Sequence, residues 1–300
     1  MEEQQNQEAH KGNWHDRNYK TLLIIPIILL LFSIVYMGVF YSKNHDFIKK
    51  DISLTGGTSV TLYEKVDIND LESFLNNELI EVNIREISDL ITREQIAVII
   101  ETTADGDTTK ALLEKYVGHE LNEENSSFEF SEPSFTKDFY KQLIFANLLA
   151  FVLMSIVVFF LFRKLILSFT VIFCVLIDII MTISFSNLIG LKISTGGIIA
   201  FLMLIGYSVD TDILLTNRIF KRHEGTLNEK IWGAFKTGIT MTLASLFAVV
   251  ASLLVVKSFS PILTQIFLII SIGLVFDIIN TWITNVSIIK WYVLSKEKVK

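Results

Sequence analysis

Two carboxylates, Asp210 and Asp212, stand inside an apolar run, in Gly206-Tyr-Ser-Val-Asp-Thr-Asp-Ile-Leu-Leu-Thr-Asn-Arg218. The run begins near Ile193 and is long enough to cross a bilayer. At mid-membrane one Asp costs about 2.5–3.5 kcal/mol, so the pair costs about 5–7 kcal/mol unless paired, protonated or wet. Carboxylates kept at that depth can bind and release protons. Two more, Asp178 and Asp277, lie in other apolar runs. At 1.5 Å per residue, Asp210 and Asp212 are about 12 and 9 Å from Arg218, and Asp178 and Asp277 about 20 Å from the same side. All four therefore fall within a turn or two of the bilayer middle, on three helices. Asn280, Thr281 and Thr284 follow Asp277 by three, four and seven positions and share its helix face. Tyr207, Thr211 and Arg218 share one side of the Asp210 helix, and Ser208, Asp212 and Thr216 another. Asp210 and Asp212 point about 200° apart, so they do not serve one small site as a pair. The expected relay is Asp210, Asp212, Asp277 and Asp178, supported by Tyr207, Ser208, Thr211, Asn217, Arg218, Asn280 and Thr281. Charge movement requires a water path or a partner-facing side. Without either, the same groups only lock helices together by hydrogen bonds.

Composition demands a membrane setting for these groups. The 300 residues are 51% hydrophobic with mean hydropathy +0.49, more apolar than a soluble globule. Nearly uncharged runs cover 21–40, 143–162, 165–191, 193–217, 237–256 and 258–289. Each reaches the ~20 residues needed to span ~30 Å of hydrocarbon. The expectation is six spanning helices, the first of them a retained span rather than a cleaved signal. With the N-terminus inside, the inner segments hold 14 Lys and Arg and the short outer loops only Lys192 and Lys257. That bias puts both termini in the cytoplasm, with tails at 1–20 and 290–300, and segment 41–142 outside. Cys174 is the single cysteine and excludes an intrachain disulfide. Asn147 and Asn187 read as packing polar groups, and Gly196, Gly197, Ala200 and Gly206 as sites of close helix approach. The basic loop 218–236 reads either as a surface helix with Trp232 at headgroup level or as a solvated connector.

Segment 41–142 carries 21 acidic and 10 basic residues. Its pattern predicts strands over 58–64, 82–87, 95–101 and 127–131, with helices over 68–79 and 108–116, the second capped by Asp107 or Thr108. The order β-α-β-β-α-β is that of a ferredoxin-like α+β unit. Just before it stands Lys49-Lys-Asp-Ile-Ser-Leu-Thr-Gly-Gly-Thr58. On its own the Gly-Gly is a turn needing positive φ, and it is no phosphate loop, since no Gly-Lys-Ser/Thr follows.

At Thr55-Gly56-Gly57-Thr58 and at Gly206-Tyr-Ser-Val…Asn-Arg218, the chain resembles the SecF branch of the SecD/SecF protein-export membrane proteins, in the resistance-nodulation-division superfamily. The layout is similar too: one span, a ferredoxin-like domain, a Glu132-Pro-Ser lead-in, then five spans. Ser53 stands where bacterial members have Asp, and Asp210-Thr-Asp212 where they have an Asn-Asp pair. Asp210-Thr-Asp212 with Asp277-Ile-Ile-Asn-Thr281 looks like the archaeal branch instead. The resemblance implies an accessory Sec subunit in the cell membrane that pairs with SecD, supplier of the other six-helix half. It further implies work with a SecY-type channel on exported unfolded polypeptides, using ion-motive force to move the external domain. Membrane lipid is the remaining expected partner; no nucleic acid, cofactor, metal or catalytic residue is expected, since no nucleophile–base pair or metal-ligand cluster appears. Two other readings stay open: a proton-coupled small-molecule efflux transporter of the same superfamily, and a non-transporting scaffold.

Overall fold

The computed structural model describes residues 20–79, 82–89, 92, 94–131, 133–221, 225–257 and 260–297. Most of the expected N-terminal tail, Glu132 of the lead-in, residues 222–224 of the expected loop and residues 298–300 lie outside them. Among the described residues, six helices are long and apolar enough to cross a membrane: Lys20–Asn44, Thr136–Phe162, Leu165–Leu188, Thr195–Lys221, Leu227–Val256 and Pro261–Lys296. Within the first of these lies α1 (Ile24–Asn44), followed by the short α2 (Ile52–Thr55). The inserted domain runs β1 (Gly57–Leu62), α3 (Ile68–Glu78), β2 (Val82–Ser88), β3 (Gln95–Thr102), α4 (Gly106–Val117) and β4 (Ser126–Ser131). The bundle continues with α5 (Pro133–Phe162), α6 (Leu165–Leu188), α7 (Thr195–Lys221), α8 (Leu227–Val256) and α9 (Pro261–Ile279). A π-helical turn, Asn280–Asn285, then leads into α10 (Val286–Glu297).

The domain is one four-stranded antiparallel sheet in the order β2-β3-β1-β4, with β1 registered Val60 to Ile100 on one side and Val60 to Phe128 on the other. Alternation along β1 and β3 buries Val60, Leu62, Val98 and Ile100 under Leu71 and Leu75 of α3 and Leu113 of α4. Each such side chain contributes about 1.5–3 kcal/mol on leaving water. Asp67 caps α3 by accepting from the Asn69 and Asp70 amides. The cap of α4 is Asp105, accepting from the Thr108 amide at 3.1 Å. The expectation of Asp107 or Thr108 is corrected by two residues or more, because Gly106 enters the helix rather than ending the turn before it.

In the bundle, 56% of the apolar windows of α6 and α7 is buried, against 11% in α1 and 6% in α5. α6 and α7 are thus central, and α1 and α5 lie at the periphery with most of their apolar side chains exposed. Gly196 and Gly197 let α7 meet α9: a Cβ on Gly197 would lie 2.8 Å from the Gln265 Oε1. Gly206 has nothing within 4 Å and faces outward, so the close approach expected there is not made within this chain. The expected connector 218–236 is also corrected. α7 runs to Lys221, and α8 starts at Leu227 under a Thr226–Glu229 capping box. Leu227, Ile231 and Phe235 pack on Leu215, Ile219 and Trp282, in phase with the buried Ala234 and Gly238 further along the same helix. One continuous stripe gives one continuous helix.

The two parts meet at a strap, residues 47–55. Ile48 and Leu54 lie in the same apolar cluster as Ile193, Phe201 and Leu274 of the bundle. Lys50 and Ile193 form a parallel β-bridge, with Asp51 N–H donating to the Ile193 carbonyl at 3.0 Å and Ile193 N–H to the Lys49 carbonyl at 2.6 Å. Asn187 accepts from the Lys49 amide at 3.2 Å and donates to the Phe47 carbonyl at 2.8 Å. The Thr195 amide donates to the Ser53 hydroxyl at 3.2 Å.

Candidate functional site

The strap ends in Thr55-Gly56-Gly57-Thr58, and its backbone explains the glycines. Gly56 has φ 86° and Gly57 φ 144°, and a Cβ on Gly57 would sit 2.3 Å from the Thr102 carbonyl oxygen. Thr58 donates to the Ala104 carbonyl at 2.8 Å. The motif is a close-packed turn joining α2 to β1, built from backbone conformation rather than from reactive groups.

Beside the turn, Arg85 of β2 lies 3.5 Å from the Asp51 carboxylate in the strap and 3.0 Å from Glu101 on β3. Asn83 donates to the same Glu101 oxygen as Arg85, at 2.8 Å. Burial first, then Asp51, pushes the Glu101 carboxyl above its ordinary value, against the pull of Arg85 and Asn83.

The acidic cluster lies in the middle of the bundle. α6 brings Asp178, α7 brings Ser208, Thr211 and Asp212, and α9 brings Asp277; the π-helical turn brings Asn280, Thr281 and Asn285. The carboxylates of Asp178, Asp212 and Asp277 are all fully buried. Asp178 accepts from the Ser208 hydroxyl at 2.6 Å on one oxygen and from the Asn280 amide at 2.5 Å on the other. Asp212 accepts on Oδ1 from Thr281 at 2.9 Å and from the Asn285 amide at 2.6 Å, while its Oδ2 is buried without a hydrogen-bond partner. Asp277 accepts from Thr211 at 3.3 Å, and Thr281 also lies 3.3 Å from its other oxygen. Among the described residues none of the three forms an ion pair. Buried carboxylates without a cation are among the most expensive groups a helix bundle can hold. Also among the described residues, no group of three or more His, Cys, Asp or Glu is placed to hold a metal ion.

Of the eleven residues named from sequence for relay and support, seven converge: Asp178, Asp212, Asp277, Ser208, Thr211, Asn280 and Thr281. The others do not. Asp210 is exposed on the outer side of α7, the side that also carries Gly206 and the exposed Tyr207. Arg218 donates to the Gly233 carbonyl and, at 2.9 Å, to Thr237, so it ties α7 to α8 instead of serving the carboxylates. Asn217 is only partly buried and its Oδ1 lacks a partner. Asn285 was missed. Eight residues beyond Asp277, it would stand about 80° off that face on a regular α-helix. The wider π-helical turn rotates less per residue and so swings it back to Asp212, and such turns recur at functional sites. Asn147, donating to the Leu143 and Ile198 carbonyls at 3.0 and 3.4 Å, and Asn187 both act as packing groups.

Comparison with known proteins agrees with this architecture. Residues 110–295 match the family described as "Protein export membrane protein SecD/SecF, C-terminal". The chain is similar to the "Protein-export membrane protein SecF" of Methanocaldococcus jannaschii, 36% identical over 284 residues, covering 92% of this chain and 96% of that one. The SecF of Methanolacinia petrolearia is 34% identical, covering 91% and 94%. The fold is similar to the crystal structure of SecDF, a translocon-associated membrane protein from Thermus thermophilus, with TM-score 0.71 and 20% identity. That likeness covers 91% of this chain but 38% of the SecDF chain. This chain is therefore a multi-pass membrane protein that belongs to the SecF family of protein-export membrane proteins.

Proposed function

We propose that the protein is an accessory subunit of the Sec export machinery that pairs with a SecD-type subunit and couples ion-motive force to movement of its inserted domain. The reading further includes a SecY-type channel and exported unfolded polypeptides as partners. The bias of 14 Lys and Arg against two supports cytoplasmic termini and an external domain at 41–142.

One observation carries the coupling. The α6–α7 hairpin holds Asp178 and Asp212 among its spanning turns, and its connecting loop hydrogen-bonds to the strap under the domain. A change at the carboxylates thus has a direct mechanical route to the domain. Thr281 supplies the link between charges. Its hydroxyl stands between Asp212 and Asp277 and, holding one proton, can donate to only one of them at a time. A single charge moved across 100 mV yields about 2.3 kcal/mol, enough to shift a two-state equilibrium about fiftyfold. Asp210 and Gly206 supply the partner-facing side: a carboxylate exposed on a spanning helix calls for a polar neighbour from another subunit.

The test is export by membranes that also contain the SecD-type partner, with and without ion-motive force. Asp212→Asn and Asp277→Asn should each remove the stimulation by ion-motive force, and Asp210→Asn should weaken recovery of the partner on purification. Normal stimulation in a double Asp212→Asn, Asp277→Asn variant would sink the relay while leaving the family unchanged. For Asp178 a second reading has its own support, because both oxygens are satisfied inside the bundle. As a lock it would lower the melting temperature on substitution by Asn and leave the ion response intact.

A further inference from the structure

A cleft of about 470 Å³ opens where the domain meets the bundle, within the ~300–1,000 Å³ range of small-ligand sites. Arg85 and Glu86 of edge strand β2 form one wall; Ile189 and Lys192 of the α6–α7 loop, with Lys257 after α8 and Pro261 at the start of α9, form the other. Its charge runs against its surroundings. Segment 41–142 holds 21 acidic and 10 basic residues, yet the cleft gathers three cations and one carboxylate. Arg85 is held by Glu101 and Asp51. Among the described residues Lys192 and Lys257 form no ion pair. Both lysines stand where apolar spans end, Lys257 directly after α8 and Lys192 between α6 and α7. That is the level of lipid headgroups. Ile189, exposed beside them, offers apolar surface to the same occupant.

We propose that this cleft seats the phosphate headgroup of an anionic glycerophospholipid from the leaflet on the domain's side, held by Lys192 and Lys257 and wedged between β2 and the bundle. The occupant must be anionic at one end and apolar at the other, and it must arrive without crossing the acidic domain surface. A lipid moving laterally in the membrane meets all three conditions, whereas an acidic peptide meets only the first.

The test reconstitutes the full chain in phosphatidylcholine nanodiscs containing a minority of phosphatidylglycerol and counts retained lipids by native mass spectrometry. Preferential retention of phosphatidylglycerol is expected, falling about thirtyfold in Lys192→Gln/Lys257→Gln and persisting in Lys192→Arg/Lys257→Arg. Equal retention of the two lipids, or a preference untouched by the glutamine pair, overturns the proposal. Inorganic phosphate or glycerol phosphate should fail to displace the lipid. Displacement by either would mean a site for free phosphate and would equally overturn the lipid assignment. If the glutamine variant melts earlier in pure phosphatidylcholine, the arginine variant and the displacement arm still decide.

Discussion

The inserted domain and the helix bundle bury their side chains for opposite reasons. In the domain, Val60, Leu71, Ile100 and Leu113 are driven together by water, and carboxylates such as Asp67, Asp105 and Glu64 do surface work: the first two cap helices and Glu64 meets His119 at 2.7 Å. In the bundle, lipid is as apolar as leucine, so burying apolar groups gains little, and close packing and hydrogen bonds between helices must hold the spans. There polar groups are buried as completely as the apolar ones: Asp178, Ser208, Asp212, Asp277, Asn280 and Thr281. The domain's own buried carboxylate, Glu101, is answered by Arg85 and Asn83, whereas the three in the bundle have no cation among the described residues and form the centre of the assembly. The lesson is that burial alone does not report function; the medium a residue was buried from decides what its burial means.

Four changes test that contrast, starting with the largest expected effect. Gly57→Ala drives a methyl into the Thr102 carbonyl at an unfavourable φ and should cost the domain about 3–5 kcal/mol, read as early loss of protease resistance on heating. Leu71→Ala should cost about 2–5 kcal/mol in the same assay. Equal sensitivity of an outward leucine such as Leu148 would break the contrast. Thr281→Val keeps the shape of its side chain but removes the bridge between Asp212 and Asp277. It should lower bundle stability by only about 1–2 kcal/mol while reducing the export response to ion-motive force about tenfold. Asp67→Ala should cost about 1 kcal/mol through the lost cap.

The smallest effect is a pH dependence. Because the folded domain raises the Glu101 carboxyl above its ordinary value of 4.5, the proton-bound fold is favoured at low pH. Stability from this group is therefore present below that ordinary value and lost as pH rises through the raised one. Glu101→Gln should flatten the melting temperature over that range, and an unchanged slope would count against the junction described for Arg85, Asp51 and Glu101.

What the sequence disclosed follows the same division. Alternation in Ser126–Ser131 and the apolar spacing of Ile68–Glu78 mark the domain elements within a residue or two, because water enforces a side for each residue. Depth along the spans likewise brings Asp178, Asp212 and Asp277 to a common level. Direction around the spans was harder to read. Lipid imposes no apolar stripe that would tell an inward face from an outward one, so Asp210 looked equivalent to Asp212 until the packing of α7 separated them. Asn285 depended on a π-helical turn that has no period of its own. Arg218 resembled a counter-ion, but the chain returns α8 beside it, and the Gly233 carbonyl is nearer than any carboxylate.

The glycine pair after the strap has a last implication for how the molecule can move. With Gly57 pressed against the backbone of β3 and α2 hydrogen-bonded to the bundle, that corner is built as a weld rather than a pivot. The tilt of the sheet proposed above would then have to be led by the α6–α7 hairpin itself, with the whole platform leaning as its footing leans.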